Sequence, residues 1–243
     1  MTPRLTRLTC LSRWASAVAV MALAYAMGGC ASGPLPPEWQ TTALGSVKGF
    51  TSAYLGGKTS VANFEYNRAR FDIAATGRLD LVARAELVRC AVRVASLEFD
   101  NCAGVQTLDA DTAAPERAYA SYLRGALSPE QAAQLPDQHR AVASSKEDSA
   151  RVAALRGMTD PLARLIAVGV LFQAGQLPPD GVEVAVNTAS DQGWRRPLLA
   201  WLGVQLKLMQ AGSDTSGTAR VQRRIDLVVS TQKATEKLTE RAP

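Results

Sequence analysis

Residues 161–175 read PLARLIAVGVLFQAG and residues 197–212 read PLLAWLGVQLKLMQAG, each opening on proline and closing on Gln-Ala-Gly. Proline suits the first turn of a helix, where its missing N–H would lack an intrahelical partner. Glycine readily takes the left-handed conformation that ends a helix. The spacing predicts two strongly apolar helices, Pro161–Ala174 and Pro197–Ala211, with their starts 36 residues apart and a turn and second helix after each. Both are expected in the central core, with Gly175 and Gly212 in equivalent left-handed positions. A helix–turn–helix unit that recurs buries its apolar faces by stacking on the next copy.

The rest of the chain from Glu38 onward also reads as helix, Ala-rich and without alternating β-branched runs. Glu38–Leu55 ends at Gly56-Gly57. Ser60 is a candidate cap for a second helix closed by Gly77. That helix has two apolar edges, Ala62/Tyr66/Ala69/Ile73 and Phe64/Phe71/Ala75, which predicts a position between neighbours on both sides. Leu81, Ala85, Val88, Val92, Ala95 and Phe99 form the clearest helical stripe. Asp100–Ala114 is irregular, Pro115–Leu127 and Pro129–Leu135 are short helices, and Asp137–Arg156 is a polar one. Val182–Asp191 and Ala219–Val229 follow the two apolar helices, and residues 231–243 are expected to fray as a polar tail.

Helix, Gly-turn and helix at this period resembles tetratricopeptide repeats. A fainter third copy lies in RARFDIAATGRLDLVARAELVRCA (68–91), and Trp201-Leu202-Gly203 echoes that family's opening motif. The family's Tyr, paired Ala and terminal Pro are missing or out of register. The expected fold is therefore all-α, either a tetratricopeptide-like solenoid of helix pairs or an irregular helical bundle, spanning 38–230.

The N-terminus has a different character. Arg4, Arg7 and Arg13 precede a run from Trp14 to Met27 in which only Ser16 is polar. A positive start, a short apolar middle and small residues at the exit describe a secretory signal. The run falls short of the about 20 residues that a bilayer core needs. Met27-Gly28-Gly29-Cys30 resembles the lipobox of bacterial lipoprotein signal peptides. The resemblance implies cleavage after Gly29, lipid on the Cys30 thiol and an acylated, palmitate-bearing N-terminus. Residues 1–29 are then the signal peptide, and 30–37 are the lipidated Cys with a stiff Pro-rich tether. In enteric bacteria Asp after the lipidated Cys retains lipoproteins in the inner membrane. Ala31 implies delivery to the outer membrane, facing the periplasm.

Processing removes three Arg and no acid, so the 27 Lys and Arg fall to 24 against 22 Asp and Glu. The electrostatic argument for a nucleic-acid partner goes with them. Cys10 leaves with the signal, and Cys90 and Cys102 remain. An oxidising compartment favours pairing them. If the helix ends near Leu97, Cys90 lies about 10 Å back along it, within the roughly 16 Å that five extended residues retrace. The alternative is two free thiols, one in a helix core.

No constellation carries catalysis. Gly57-Lys58-Thr59 matches the tail of a phosphate-binding loop, but residue 52 is Ser and no strand precedes it, so an interhelical turn is expected. His139, the single histidine, sits beside Gln138 and Arg140 on the most polar helix and is expected to be exposed. Glu65, Glu86 and Glu98 are the best-placed acids for glycan cleavage, yet each lies among Arg or on a mixed face. Trp194, Trp201, Phe172 and Met209 read as core. Two Cys, one His and no clustered acids leave no metal or cofactor site.

These features predict an outer-membrane lipoprotein, anchored through Cys30, whose helical domain binds an envelope protein in assembly or secretion. The other readings are a lipid-anchored cell-wall enzyme and a purely structural lipoprotein.

Overall fold

The first helix, α1 (Glu38–Leu55), turns back into α2 (Thr59–Ala74) through Gly56-Gly57-Lys58. Gly57 has φ +81°, and the N–H groups of Gly57 and Lys58 donate to the carbonyls of Tyr54 and Ala53 at 3.0 and 2.8 Å. Orphan carbonyls at the end of α1 are thereby satisfied without a long loop. Gly57-Lys58-Thr59 is this interhelical turn. Thr59 already belongs to α2, Lys58 sits at its N-cap, and no side chain caps it, so Ser60 does not take that role.

The computed structural model describes residues 36–240, with side chains to residue 231. The expected signal peptide 1–29, the expected lipidation site Cys30 and the tether as far as Leu35 lie outside the described residues, as do residues 241–243. The described chain is all-α: twelve helices and one short 3-10 turn, with no strand among the described residues. No described helix is long and apolar enough to cross a membrane.

Helix α3 (Leu79–Ala95) is the axis of the domain. Its stripe of Ala85 and Val92 is joined by Val82, Ala83, Leu87, Ala91 and Val94 on other faces, so most of the circumference is covered, with Arg84 exposed and Val88 half-buried on one side. Helices α1, α2 and α5 (Ala114–Leu123) pack around it, together with α9 (Pro161–Gln173). Small residues make that crowding feasible. A Cβ on Gly169 of α9 would collide with the backbone carbonyl of Val94, so the two backbones approach as only glycine allows. The start of α9 is fixed by Asp160, whose Oδ1 accepts from the N–H groups of Leu162 and Ala163 at 2.8 and 3.1 Å.

Between α3 and α9 the chain makes short pieces: α4 (Ala103–Gln106), α5, α6 (Pro129–Ala132), α7 (Asp137–Ser144) and α8 (Asp148–Gly157). The sequence reads 137–156 as one helix, but it breaks at Ser145. The Ser144 and Ser145 hydroxyls donate back to the carbonyls of Arg140 and Ala141 at 2.8 and 2.7 Å, which competes with helix continuation. Beyond α9, α10 (Gly181–Asp191), α11 (Arg195–Ala211) and α12 (Thr215–Glu240) stack each on the one before.

Two expectations are corrected here. The two apolar helices both enter the main core but are not equivalent: eight residues of α9 are buried, against four in α11. The second edge of α2 is not sandwiched, since Phe64 and Phe71 are 63% and 75% exposed. The last helix is continuous from Thr215 to Glu240.

Candidate functional site

Two adjoining cavities lined mainly by apolar side chains form a trough along one side of α3. One lobe, about 330 Å³, has Leu87, Val88, Ala91, Val92 and Ile166 as its floor and Tyr119, Gln138, His139 and Asp160 at its edge. A second, about 220 Å³, lies between Trp39, Leu44 and Val47 of α1 and Ile73 and Leu81. The lobes meet at Arg84 and Val88, which line both. The floor is the face that the stripe Leu81, Ala85, Val88 and Val92 marks in the sequence. Its covering from α1 and α9 is incomplete, and that leaves the trough.

Arg84 divides the lobes and is itself tethered. Its Nε and terminal NH2 groups bond Glu116 Oε1 at 2.9 and 2.8 Å, and the Arg84 side chain stays well exposed while the carboxylate is mostly covered. A pair of this exposure contributes little to stability. It does place one fixed polar bar across an otherwise apolar channel.

His139 sits under the first lobe and is buried, 1% exposed, which corrects the expectation of a solvated histidine. The break after Ser144 shortens α7, and His139 and Val142 turn inward on it. The imidazole rests against the rings of Tyr119 and Tyr122, at centroid distances of 5.5 and 5.0 Å. Its Nδ1 has no hydrogen-bond partner. Burial pulls its pKa down to about 4, with Asp160 opposing, so the ring is neutral at pH 7. Burial likewise pushes the Tyr119 and Tyr122 phenols well above their ordinary range. Among the described residues lining the trough none is Ser, Thr or Cys. The chemistry on offer is apolar burial edged by charged Arg84 and Asp160 and by neutral Gln138 and His139.

Glu86 and Glu98 do not converge. Glu86 is buried on α3 between Arg70 and Arg89, at 3.4 and 3.5 Å. Glu98 lies beyond the end of α3 against Arg196 and Arg93, at 3.2 and 3.8 Å. Glu65 lines a polar cleft with Arg68 between α1 and α2.

Cys90 and Cys102 are joined in a disulfide with their Cα atoms 5.2 Å apart. Cys102 is left-handed, φ +51°, and Asp100 Oδ1 accepts its N–H at 3.1 Å, which curls the segment back onto α3. Asp100 is held in turn by Arg93 at 3.4 Å. Both cysteines belong to the main hydrophobic cluster.

The trough's floor was visible as a helical stripe, but Trp39, Glu116 and Tyr119 were not. They reach it only through tertiary packing from other segments of the chain, and no local pattern marks them. No protein-family model, curated protein or solved structure matches this chain.

Proposed function

We propose that this chain is an outer-membrane lipoprotein facing the periplasm, held by lipid on Cys30, and that it works as a protein-binding adaptor or scaffold in envelope assembly or secretion. The observation that carries the binding half is the trough along α3. Its two lobes are lined mainly by apolar side chains and join at Val88 and Arg84. An amphipathic segment of a partner would lay its apolar side chains into the two lobes and straddle Arg84. The scattered, Arg-paired acids speak for binding over glycan cleavage. The anchoring half rests on Met27-Gly28-Gly29-Cys30.

Two experiments address the halves separately. A photo-crosslinking residue at Val88 or Leu44 in intact cells should join one discrete protein, and Val88→Glu should abolish the product made from Leu44. Equal crosslinking from exposed Asp191 would remove the trough as the binding surface. For the anchor, Cys30→Ser should accumulate as an unprocessed precursor that takes up no labelled palmitate. Normal labelling of that variant would refute the lipobox.

A further inference from the structure

The outward face of α2 carries apolar side chains that nothing in the described chain covers. Val61, Phe64 and Phe71 are 48%, 63% and 75% exposed and fall on one stripe of the helix, with exposed Arg68 between the two rings. Lys58, at the helix start, is exposed too, and neither Lys58 nor Arg68 has an ion pair among the described residues. Of the two acids of α2, half-buried Glu65 lines a cleft with Thr41 and Ser46 of α1 that Arg68 also borders, and Asp72 Oδ2 is buried. Exposed aromatic rings with exposed basic neighbours are features of a helix lying in a lipid headgroup layer.

We infer that this face of α2 rests on the membrane surface, with Phe64 and Phe71 entering the headgroup–acyl boundary and Lys58 and Arg68 meeting anionic headgroups. Chain geometry favours lipid over a protein occupant, and this step rests on the proposed lipid at Cys30. Helices α1 and α2 form a hairpin, and Ile73 shares a cavity with Trp39 and Ala43, so Phe71 is level with the first turns of α1. The eight residues from Cys30 to Pro37 reach at most about 29 Å when extended. Val61 to Phe71 spans only about 15 Å of helix. A bilayer holding Cys30 is therefore within reach of the whole stripe.

The test uses lipid-free protein, so that its outcome is independent of acylation, which the palmitate experiment measures on its own. The chain beginning at residue 30 and carrying Cys30→Ser is floated with vesicles of phosphatidylethanolamine and phosphatidylglycerol. It should co-float, and less so with phosphatidylcholine alone. Phe64→Ser with Phe71→Ser should lower the bound fraction at least ~5-fold at an unchanged melting temperature. Arg68→Glu should weaken binding to the anionic vesicles only, and Leu208→Ser with Leu227→Ser should leave it intact. Failure of the parent to float, or equal flotation of the double Phe variant, would overturn the inference. So would a stable dimer that the double Phe variant dissociates without any vesicle binding by the parent, because the face would then pair two copies of the chain.

Discussion

The guanidinium of Arg196 lies over the ring of Tyr54, 4.3 Å from its centroid, and its Nε donates to the Tyr54 carbonyl at 2.8 Å. The same group reaches Glu98 Oε1 at 3.2 Å and Thr59 Oγ1 at 2.8 Å. One side chain at the start of α11 thus ties the α1–α2 turn to the segment after α3. A planar fork can make these contacts together, and an ammonium cannot. Arg196→Ala should destabilise the domain by about 2 kcal/mol, since a carbonyl and a carboxylate lose a charged partner. Arg196→Lys should recover less than half of that in urea titrations. Full recovery by Lys would mean that charge alone matters there.

His139 gives the domain a pH dependence. Its folded pKa of about 4 lies below the ordinary histidine value of 6.5, because burial disfavours the charged ring. The unfolded chain therefore binds the proton first as pH falls. The stability contributed by neutral His139 is complete above 6.5 and is lost progressively as pH drops toward 4. Between pH 7 and pH 5 the loss should be about 2 kcal/mol. His139→Gln should flatten this part of the profile while carboxylate titration at lower pH remains. Chemical denaturation at several pH values would show it, and an equal slope in both proteins would place the proton elsewhere.

The Cys90–Cys102 bond closes a loop with a sequence separation of 12. In the chain-entropy model a loop of this length contributes about 3 kcal/mol. Alkylation of the denatured, unreduced protein should leave both cysteines unlabelled, and Cys90→Ala with Cys102→Ala should melt lower. Two modified thiols in the native protein would exclude the bond.

Close approach of α9 to α3 makes Gly169 the most size-sensitive position of the core. Its added Cβ would meet the Val94 carbonyl, which is backbone and has no rotamer to change. Gly169→Ala should cost about 2–3 kcal/mol, despite the better helix propensity of Ala, as the helices are forced apart. A melting temperature at or above that of the parent protein would mean the helices part easily.

The parts of the fold written in local pattern were legible. The limits of α1, the stripe of α3 and the Pro-capped start of α9 all follow from caps and period. What failed was whatever depends on a neighbour. Phe64 and Phe71 repeat with the spacing of a core edge, but no element arrives to cover them. His139 lies in a polar run, yet α7 packs the His139–Val142 face inward and sets the imidazole against Tyr119 and Tyr122. For the trough, the sequence showed the floor on α3 and gave no sign of the walls. A helix stripe announces that a face is apolar without saying whether anything fills the space above it.

Similarity between residues 161–175 and 197–212 also breaks at a defined point. Gly175 follows α9 with φ +67°, and Gln176 N–H donates to the Leu171 carbonyl at 2.8 Å. After α11 the left-handed residue is not Gly212 but Ser213, with φ +55°, and Asp214 N–H donates to the Met209 carbonyl at 3.0 Å. Gly212 has φ −82° and is the helix cap itself. The turn is therefore the same motif displaced by one residue, and the two glycines are not equivalent. Gly175→Val should cost about 1–2 kcal/mol, because a β-branched side chain collides with the backbone at positive φ. Gly212→Val should cost well under that. Ser213→Gly, at an exposed position, should raise stability by about 0.5–1 kcal/mol by removing the strain of a Cβ in the left-handed region. Thermal melts of the three variants would decide it. Equal losses at Gly175 and Gly212, with no gain at Ser213, would restore the two glycines as equivalent ends of copied helices.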